Sequence, residues 1–137
     1  RPVGIGQMRP ATAIEGAEEW RTVAPVGVAF ADARTIVRRV DNDGLKEMMS
    51  QVLEASRQLA TAKVDLIVQC GAPGTFLRGP GHDEQVVKEI ENETGIKAIT
   101  MMQAMMEGLK ALDAKKIAVA MAAASPKFCP ESWNAMR

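Results

Sequence analysis

A cysteine at the end of an apolar run is the residue with the clearest capacity for chemistry. The run from Val64 to Gln69 ends in Cys70, and a glycine-rich loop, Gly71 to Gly79, follows it directly. In an open α/β sheet, ligands bind where the strands end and the loops begin. A thiol at that place can act as an acid, a base or a nucleophile, and small neighbouring residues let backbone N–H groups approach an anion.

Two interpretations of Cys70 compete. Backbone amides and a helix N-terminus lower a thiol pKa, which predicts a reactive cysteine. A free cysteine at a strand end is also commonly a small buried apolar side chain. The only other cysteine is Cys129, and the single histidine is His82. Their spacing does not fit a metal site, and we expect His82 to be an exposed loop residue.

The composition excludes several classes of function. Lys plus Arg total 17 and Asp plus Glu total 17, so the formal net charge is zero. A nucleic-acid binder usually carries a basic excess, so no nucleic-acid partner is expected. No apolar run approaches the roughly 20 residues that cross a bilayer, and no targeting pattern is present, so no membrane partner is expected. Unpaired cysteines suit a reducing compartment, which predicts the cytoplasm.

Alternating strand and helix signals predict an α/β fold. Strands are predicted at residues 3–8, 25–30, 64–68, 96–100 and 116–120, and residues 11–21 are predicted as a loop. Helices are predicted from 45 to 61, from Asp83 to Gly95, and from 101 onward, where Thr100 and Gln103 have capping-box spacing. The last helix is expected to turn four apolar residues inward, namely Met101, Met105, Leu109 and Leu112.

This order of elements predicts a mostly parallel sheet with helices on both faces, in a flavodoxin-like three-layer lobe. The carboxyl ends of the strands would gather residues 8–10, 70–75, 100 and 120–122 around one cleft. Residues 1–120 form the predicted α/β domain. Residues 121–137 have no clear periodicity, and we interpret them as an aperiodic tail, either truncated or non-native sequence.

Residues from Ile5 to Ala120 carry a pattern that resembles the family of arylmalonate decarboxylase and maleate cis-trans isomerase, within the aspartate/glutamate racemase superfamily. The pattern consists of Ile5-Gly6 and Pro10, Gly71 with Phe76-Leu-Arg78-Gly79, Glu93-Thr94-Gly95, Thr100 with Ala104, Gly108–Leu112 and Lys116–Ala120. The resemblance implies two similar lobes that face each other across a cleft, of which this chain contains the first. It also implies chemistry on small dicarboxylic acids without metal or other cofactor.

The resemblance implies roles for individual residues. Cys70 would be the first-lobe acid/base in an isomerase, racemase or decarboxylase that passes through an enediolate. The loop Gly71, Ala72, Pro73, Gly74 and Thr75 would bind a substrate carboxylate, and Pro10 would shape the pocket wall. An ungapped match to the decarboxylase places Gly71 rather than Cys70 at the key position, so the choice between them stays open.

Two further observations limit what is carried over from the family. Ala72 and Pro73 stand where the decarboxylase has hydroxyl residues, and Met121-Ala122-Ala123 stands where the family has a tyrosine motif. With the second lobe absent, we expect this chain alone to be inactive. The alternative is a non-catalytic α/β module that binds a small carboxylate or a partner protein, and an apolar face left uncovered would favour self-association.

Overall fold

In the described part of the chain, four parallel strands form the centre of the fold. The computed structural model describes residues 1–14 and 16–118. The strands are β1 (Val3–Pro10), β2 (Val28–Thr35), β3 (Leu66–Gln69) and β4 (Ala98–Thr100). They lie in the order β2-β1-β3-β4, and every pair is parallel. This strand order is that of a flavodoxin-like sheet, so the predicted α/β fold class is confirmed.

Over residues 1–14 and 16–118, six helices connect and cover the strands. They are α1 (Gly16–Val23), α2 (Asn42–Ser50), α3 (Val52–Thr61), α4 (Ala72–Thr75), α5 (His82–Thr94) and α6 (Met101–Ala111). Helices α3 and α5 pack against each other and against the sheet, where Met8, Leu59, Ile67 and Ile90 are almost completely buried. Successive strand residues point to opposite faces of the sheet. Ala31 packs against the core, and the neighbouring Phe30 packs on Trp20 of α1 at the other face.

Two predicted helix ends, at Thr100 and Gly95, are confirmed, and the structure adds a cap at Asp41. The Thr100 hydroxyl accepts a bond from the Gln103 N–H at 3.1 Å, and the Gln103 side chain accepts one from the Thr100 N–H at 3.2 Å. The Asp41 carboxylate accepts a bond from the Gly44 N–H at 2.9 Å and caps α2. Gly95 ends α5 in the left-handed conformation. Each satisfies backbone groups that a helix end leaves unpaired.

Other boundaries differ from the predictions. Residues 16–23 form a helix where a loop was predicted, because acidic residues in the first turn and Arg21 in the last suit the helix dipole. Strand β2 begins at Val28 rather than Pro25, since Pro25 and Gly27 form a turn in which Gly27 has a φ of 94°. The helix predicted over 45–61 is divided at Gln51, whose side chain bonds both backbone groups of Ile36.

The last predicted elements fit least well. No residue of α6 is buried, and Met101, Met105 and Leu112 are 42%, 49% and 79% exposed, so the expectation that they face inward is wrong. Residues 114–118 are not in a strand, and the rest of the predicted strand lies outside the described residues, as does the tail from 121. Among the described residues, no helix is long and apolar enough to cross a membrane.

Candidate functional site

The carboxyl ends of β1 and β3 bring the predicted site residues to one edge of the sheet. Pro10 ends β1, and Cys70 directly follows β3. The Cys70 N–H donates to the Met8 carbonyl at 2.8 Å, so the thiol-bearing residue continues the pairing of the two central strands. The loop from Gly71 to Thr75 leaves the sheet from the same point.

The thiol of Cys70 is half-buried, and its surroundings do not activate it. Burial raises the pKa of Cys70 to about 11, the charge of Arg9 opposes that rise, and Asp32 adds to it. The Sγ atom lies 3.6 Å from the Val68 carbonyl oxygen, a weak contact. The expectation of a lowered thiol pKa is therefore wrong, because desolvation outweighs the nearby positive charge. At neutral pH the sulfur carries its proton.

An ion pair beside Cys70 was not found from the sequence. Arg9 Nε and Nη2 lie 2.9 and 2.8 Å from the Asp32 Oδ1 atom, and Arg9 Nη1 donates to the Ala13 carbonyl at 3.2 Å. Arg9 is only 5% exposed. The prediction ended β1 at Met8, which left Arg9 in a loop. The polar residue Gln7 could have indicated that β1 continues to Arg9. Side chains two apart in a strand share a face, so Gln7 and Arg9 would form one polar face.

The loop after Cys70 contains one turn of helix, α4. The Thr75 side chain is fully buried, and its hydroxyl donates to the Ala72 carbonyl at 2.8 Å. That hydroxyl is thus engaged within the loop itself. Gly74 packs closely on α2, since a Cβ there would lie 2.5 Å from Met48 Cε and 2.6 Å from Met49 Sδ, and these two flexible side chains would have to shift. Helix α4 is consequently held against α2.

The side-chain positions of Cys70 and Gly71 have different neighbours. The Cys70 thiol senses the charges of Arg9 and Asp32. A Cβ added to Gly71 would lie 2.7 Å from Gln69 Nε2 and 3.0 Å from Met48 Cε, beside α2. Both of those atoms end flexible side chains, which can move aside. A thiol at position 71 would therefore lie against Gln69 and Met48, away from the ion pair that neighbours Cys70.

His82 is buried, contrary to the expectation of an exposed loop histidine. It is 8% exposed, and its Nδ1 atom lies 3.0 Å from the Thr75 carbonyl oxygen. Because a carbonyl only accepts hydrogen bonds, Nδ1 carries the proton of this contact. The bond ties the start of α5 to the end of α4. The sequence signal for a turn just before His82 was the glycine at position 81. Gly81 adopts a φ of 84° and turns the chain into α5.

Two buried glutamines in the sheet have unsatisfied amide atoms. Within the part of the chain that the structure describes, both polar atoms of the Gln7 side chain and the Oε1 atom of Gln69 have no hydrogen-bond partner. Gln69 is 3% exposed and lies next to the start of the loop. Among residues 1–14 and 16–118, no group of three or more His, Cys, Asp or Glu side chains could hold a metal ion.

A family profile and several solved structures match this chain. The family profile described as arylmalonate decarboxylase matches residues 6–126. No curated protein matches the chain. Among solved structures, the maleate isomerase Iso from Pseudomonas putida is similar, with a TM-score of 0.74 and 23% identity over 84% of this chain and 51% of that chain.

Two further solved structures show the same fold. The Nocardia farcinica maleate cis-trans isomerase with a covalently bound succinylcysteine intermediate has a TM-score of 0.74 and 20% identity, over 82% of this chain and 50% of that one. Arylmalonate decarboxylase itself has a TM-score of 0.65 and 22% identity, over 80% of this chain and 46% of that one. The chain thus spans about half the length of these structures, as one lobe would. On the profile match, which covers most of its residues, the chain belongs to the arylmalonate decarboxylase family.

Proposed function

We propose that this chain is the first lobe of a cofactor-independent enzyme that isomerises, racemises or decarboxylates a small dicarboxylic acid. The single observation that carries the proposal is the family match over residues 6–126, which includes the whole edge that holds Cys70 and α4. Membership of this family supports isomerase or decarboxylase chemistry. Residues 1–120 would form this lobe, and residues 121–137 would lie outside it.

In the proposed site, the loop from Gly71 to Thr75 binds one substrate carboxylate. Its side chains offer little, since the Thr75 hydroxyl donates to the Ala72 carbonyl and Pro73 has no N–H. Backbone N–H groups at the start of the loop are the remaining donors, and such groups stabilise an enediolate as an oxyanion hole does. Pro10, at the end of the neighbouring strand, would form the wall of the pocket.

Cys70 is proposed as the proton donor of the lobe. A thiol with a pKa of about 11 is protonated at neutral pH, so it suits donation better than abstraction. In the donating step the S–H bond breaks, a C–H bond forms on the carbanion, and the electron pair of S–H stays on sulfur as a thiolate. The charge of Arg9 favours that thiolate. Decarboxylation, in which departing CO₂ leaves the carbanion, needs only such a donor, whereas racemisation also needs a base from elsewhere.

A second candidate is a carboxylate-binding module without catalysis. The observation that favours it is the raised pKa of Cys70, together with a hydroxyl of Thr75 that is already engaged. Both functions require the loop to bind a carboxylate. They differ in whether the thiol lies within reach of the bound molecule.

Protection of Cys70 from alkylation tests the proposal. In a Cys129→Ser variant, where Cys70 is the remaining thiol, succinate is expected to slow the reaction with iodoacetamide several-fold, and succinamide is the neutral control. Binding of succinate without protection would favour the non-catalytic module. Absence of both binding and protection would overturn both candidates.

A further inference from the structure

A cavity on the helical side of the loop is separate from the Cys70 edge. It has a volume of about 400 Å³ and lies between the α2–α3 junction and the first half of α5. Its apolar lining includes Val52, Leu53, Leu77 and Val86. Small-molecule sites typically have volumes of about 300 to 1,000 Å³ with mostly apolar walls. We call this space the His82 cavity, after the ring that lines it.

The charged groups of the His82 cavity favour an anion. Lys46 and Arg78 line it, with Glu89 as the single carboxylate of the lining. Glu89 already accepts a bond from Gln85 Nε2 at 2.8 Å, and Lys46 has only a long contact of 3.6 Å with Asp43. Among the described residues, Arg78 has no carboxylate partner. An exposed guanidinium at the rim of a cavity can form a bidentate pair with a carboxylate.

His82 gives the cavity a polar group of fixed orientation. The ring is 8% exposed, and its Nδ1 atom donates to the Thr75 carbonyl at 3.0 Å. That bond leaves Nε2 as the ring nitrogen available to a ligand. A ligand that contacts His82 would therefore also contact the residue that fastens α4 to α5.

We infer that the His82 cavity binds a small monocarboxylate with an apolar body, whose carboxylate pairs with Arg78 and whose apolar part lies against Leu53, Leu77 and Val86. A volume of about 400 Å³ fits one small molecule. Binding stabilises the His82–Thr75 contact and so the conformation of α4. An effect of that conformation on carboxylate binding by the loop rests on the proposed function, whereas ligand binding in the His82 cavity does not.

The chain carries one histidine, so the His82 imidazole resonance reports the cavity by NMR without ambiguity. Titration with phenylacetate is expected to shift that resonance saturably, and benzyl alcohol, with the same ring but no carboxylate, is expected to shift it far less. Arg78→Ala is expected to raise the dissociation constant of phenylacetate about tenfold, the effect of one lost charge-assisted bond. Arg21→Ala, on the opposite side of the sheet, is the matched control and is expected to leave it unchanged.

Three results would overturn the inference. They are an unmoved His82 resonance with phenylacetate, an equal shift with benzyl alcohol, and an equal weakening by Arg21→Ala. Arg78 is exposed, so its replacement is not expected to unfold the protein. A failure of succinate to protect Cys70 would count against the proposed function alone, because it leaves the phenylacetate titration of His82 unaffected.

Discussion

At the residue scale, the environment of Cys70 decides which chemistry this lobe can supply. The sequence predicted a thiol at the carboxyl end of a strand, and the backbone bond to Met8 bears out that position. It could not predict the thiol pKa, because burial and the Arg9–Asp32 pair depend on how β1, β2 and β3 lie together. Tertiary packing thus turns an expected nucleophile into an expected acid.

The alkylation rate of Cys70 should continue to rise at pH values well above the pKa of an ordinary thiol. With a pKa of about 11, roughly one thiol in 10⁴ is ionised at pH 7, and the rate should increase about tenfold per pH unit until near pH 11. The measurement is iodoacetamide labelling of the Cys129→Ser variant, followed by mass spectrometry. The same variant unfolded in urea is the control, with an ordinary thiol pKa. A plateau of the folded protein below pH 9 would contradict this prediction.

The same pKa shift predicts a loss of stability in alkaline solution. The folded-state pKa of Cys70 is raised from 9.0 to about 11, so the stabilisation of the neutral thiol is complete below pH 9 and is lost as the pH rises toward 11. Relative to Cys70→Ala, the free energy of unfolding should fall by up to about 3 kcal/mol across that interval. Urea unfolding at several pH values, with Cys129→Ser in both proteins, measures the difference. Parallel curves for the two proteins would show that the folded-state pKa is not raised.

At the element scale, local signals predicted helix ends better than helix faces. The capping box at Thr100 and the glycine at Gly95 need only near neighbours in sequence, and both were predicted correctly. The inward face of α6 needed a packing partner, and within the described residues α6 has few contacts beyond β4. The break at Gln51 depended on a bond to Ile36, which no periodicity reveals.

Two glycine replacements should change stability in opposite directions. Gly95 has a φ of 68°, so Gly95→Ala is expected to lower the free energy of unfolding by about 1 kcal/mol. Gly108 lies inside α6 with open space around it, so Gly108→Ala is the matched control and is expected to raise it by about 0.5 to 1 kcal/mol. Urea denaturation of the two variants provides the measurement. Changes of the same sign would mean that one of these two backbone conformations is wrong.

At the scale of the whole molecule, the chain matches about half of each related structure. The α/β fold could be predicted from the alternation of strands and helices, since each strand carries its own hydrophobic pattern. The site could be predicted only as a location, because the Arg9–Asp32 pair and the buried ring of His82 arise from contacts between distant segments. The proposed catalytic function requires groups beyond these residues.

The isolated 137-residue chain is expected to have no measurable turnover of maleate or an arylmalonate. The physical reason is that this chain spans about half the length of the related structures, whereas the proposed reaction takes place in a cleft between two lobes. Product formation is measured by chromatography after incubation with each compound, and Cys70→Ala serves as the control. Turnover that disappears in Cys70→Ala would show that this lobe is sufficient and that the proposed division between lobes is wrong.

The most direct test of the account is whether the loop after β3 binds a dicarboxylate. Succinate is titrated into the ¹⁵N-labelled chain while backbone amide resonances are followed by NMR, with succinamide as the neutral control. The account predicts saturable shifts centred on Gly71, Ala72, Gly74 and the neighbouring Cys70, and none with succinamide. Amides in this loop that do not move with succinate, or that move equally with succinamide, would contradict the central claim.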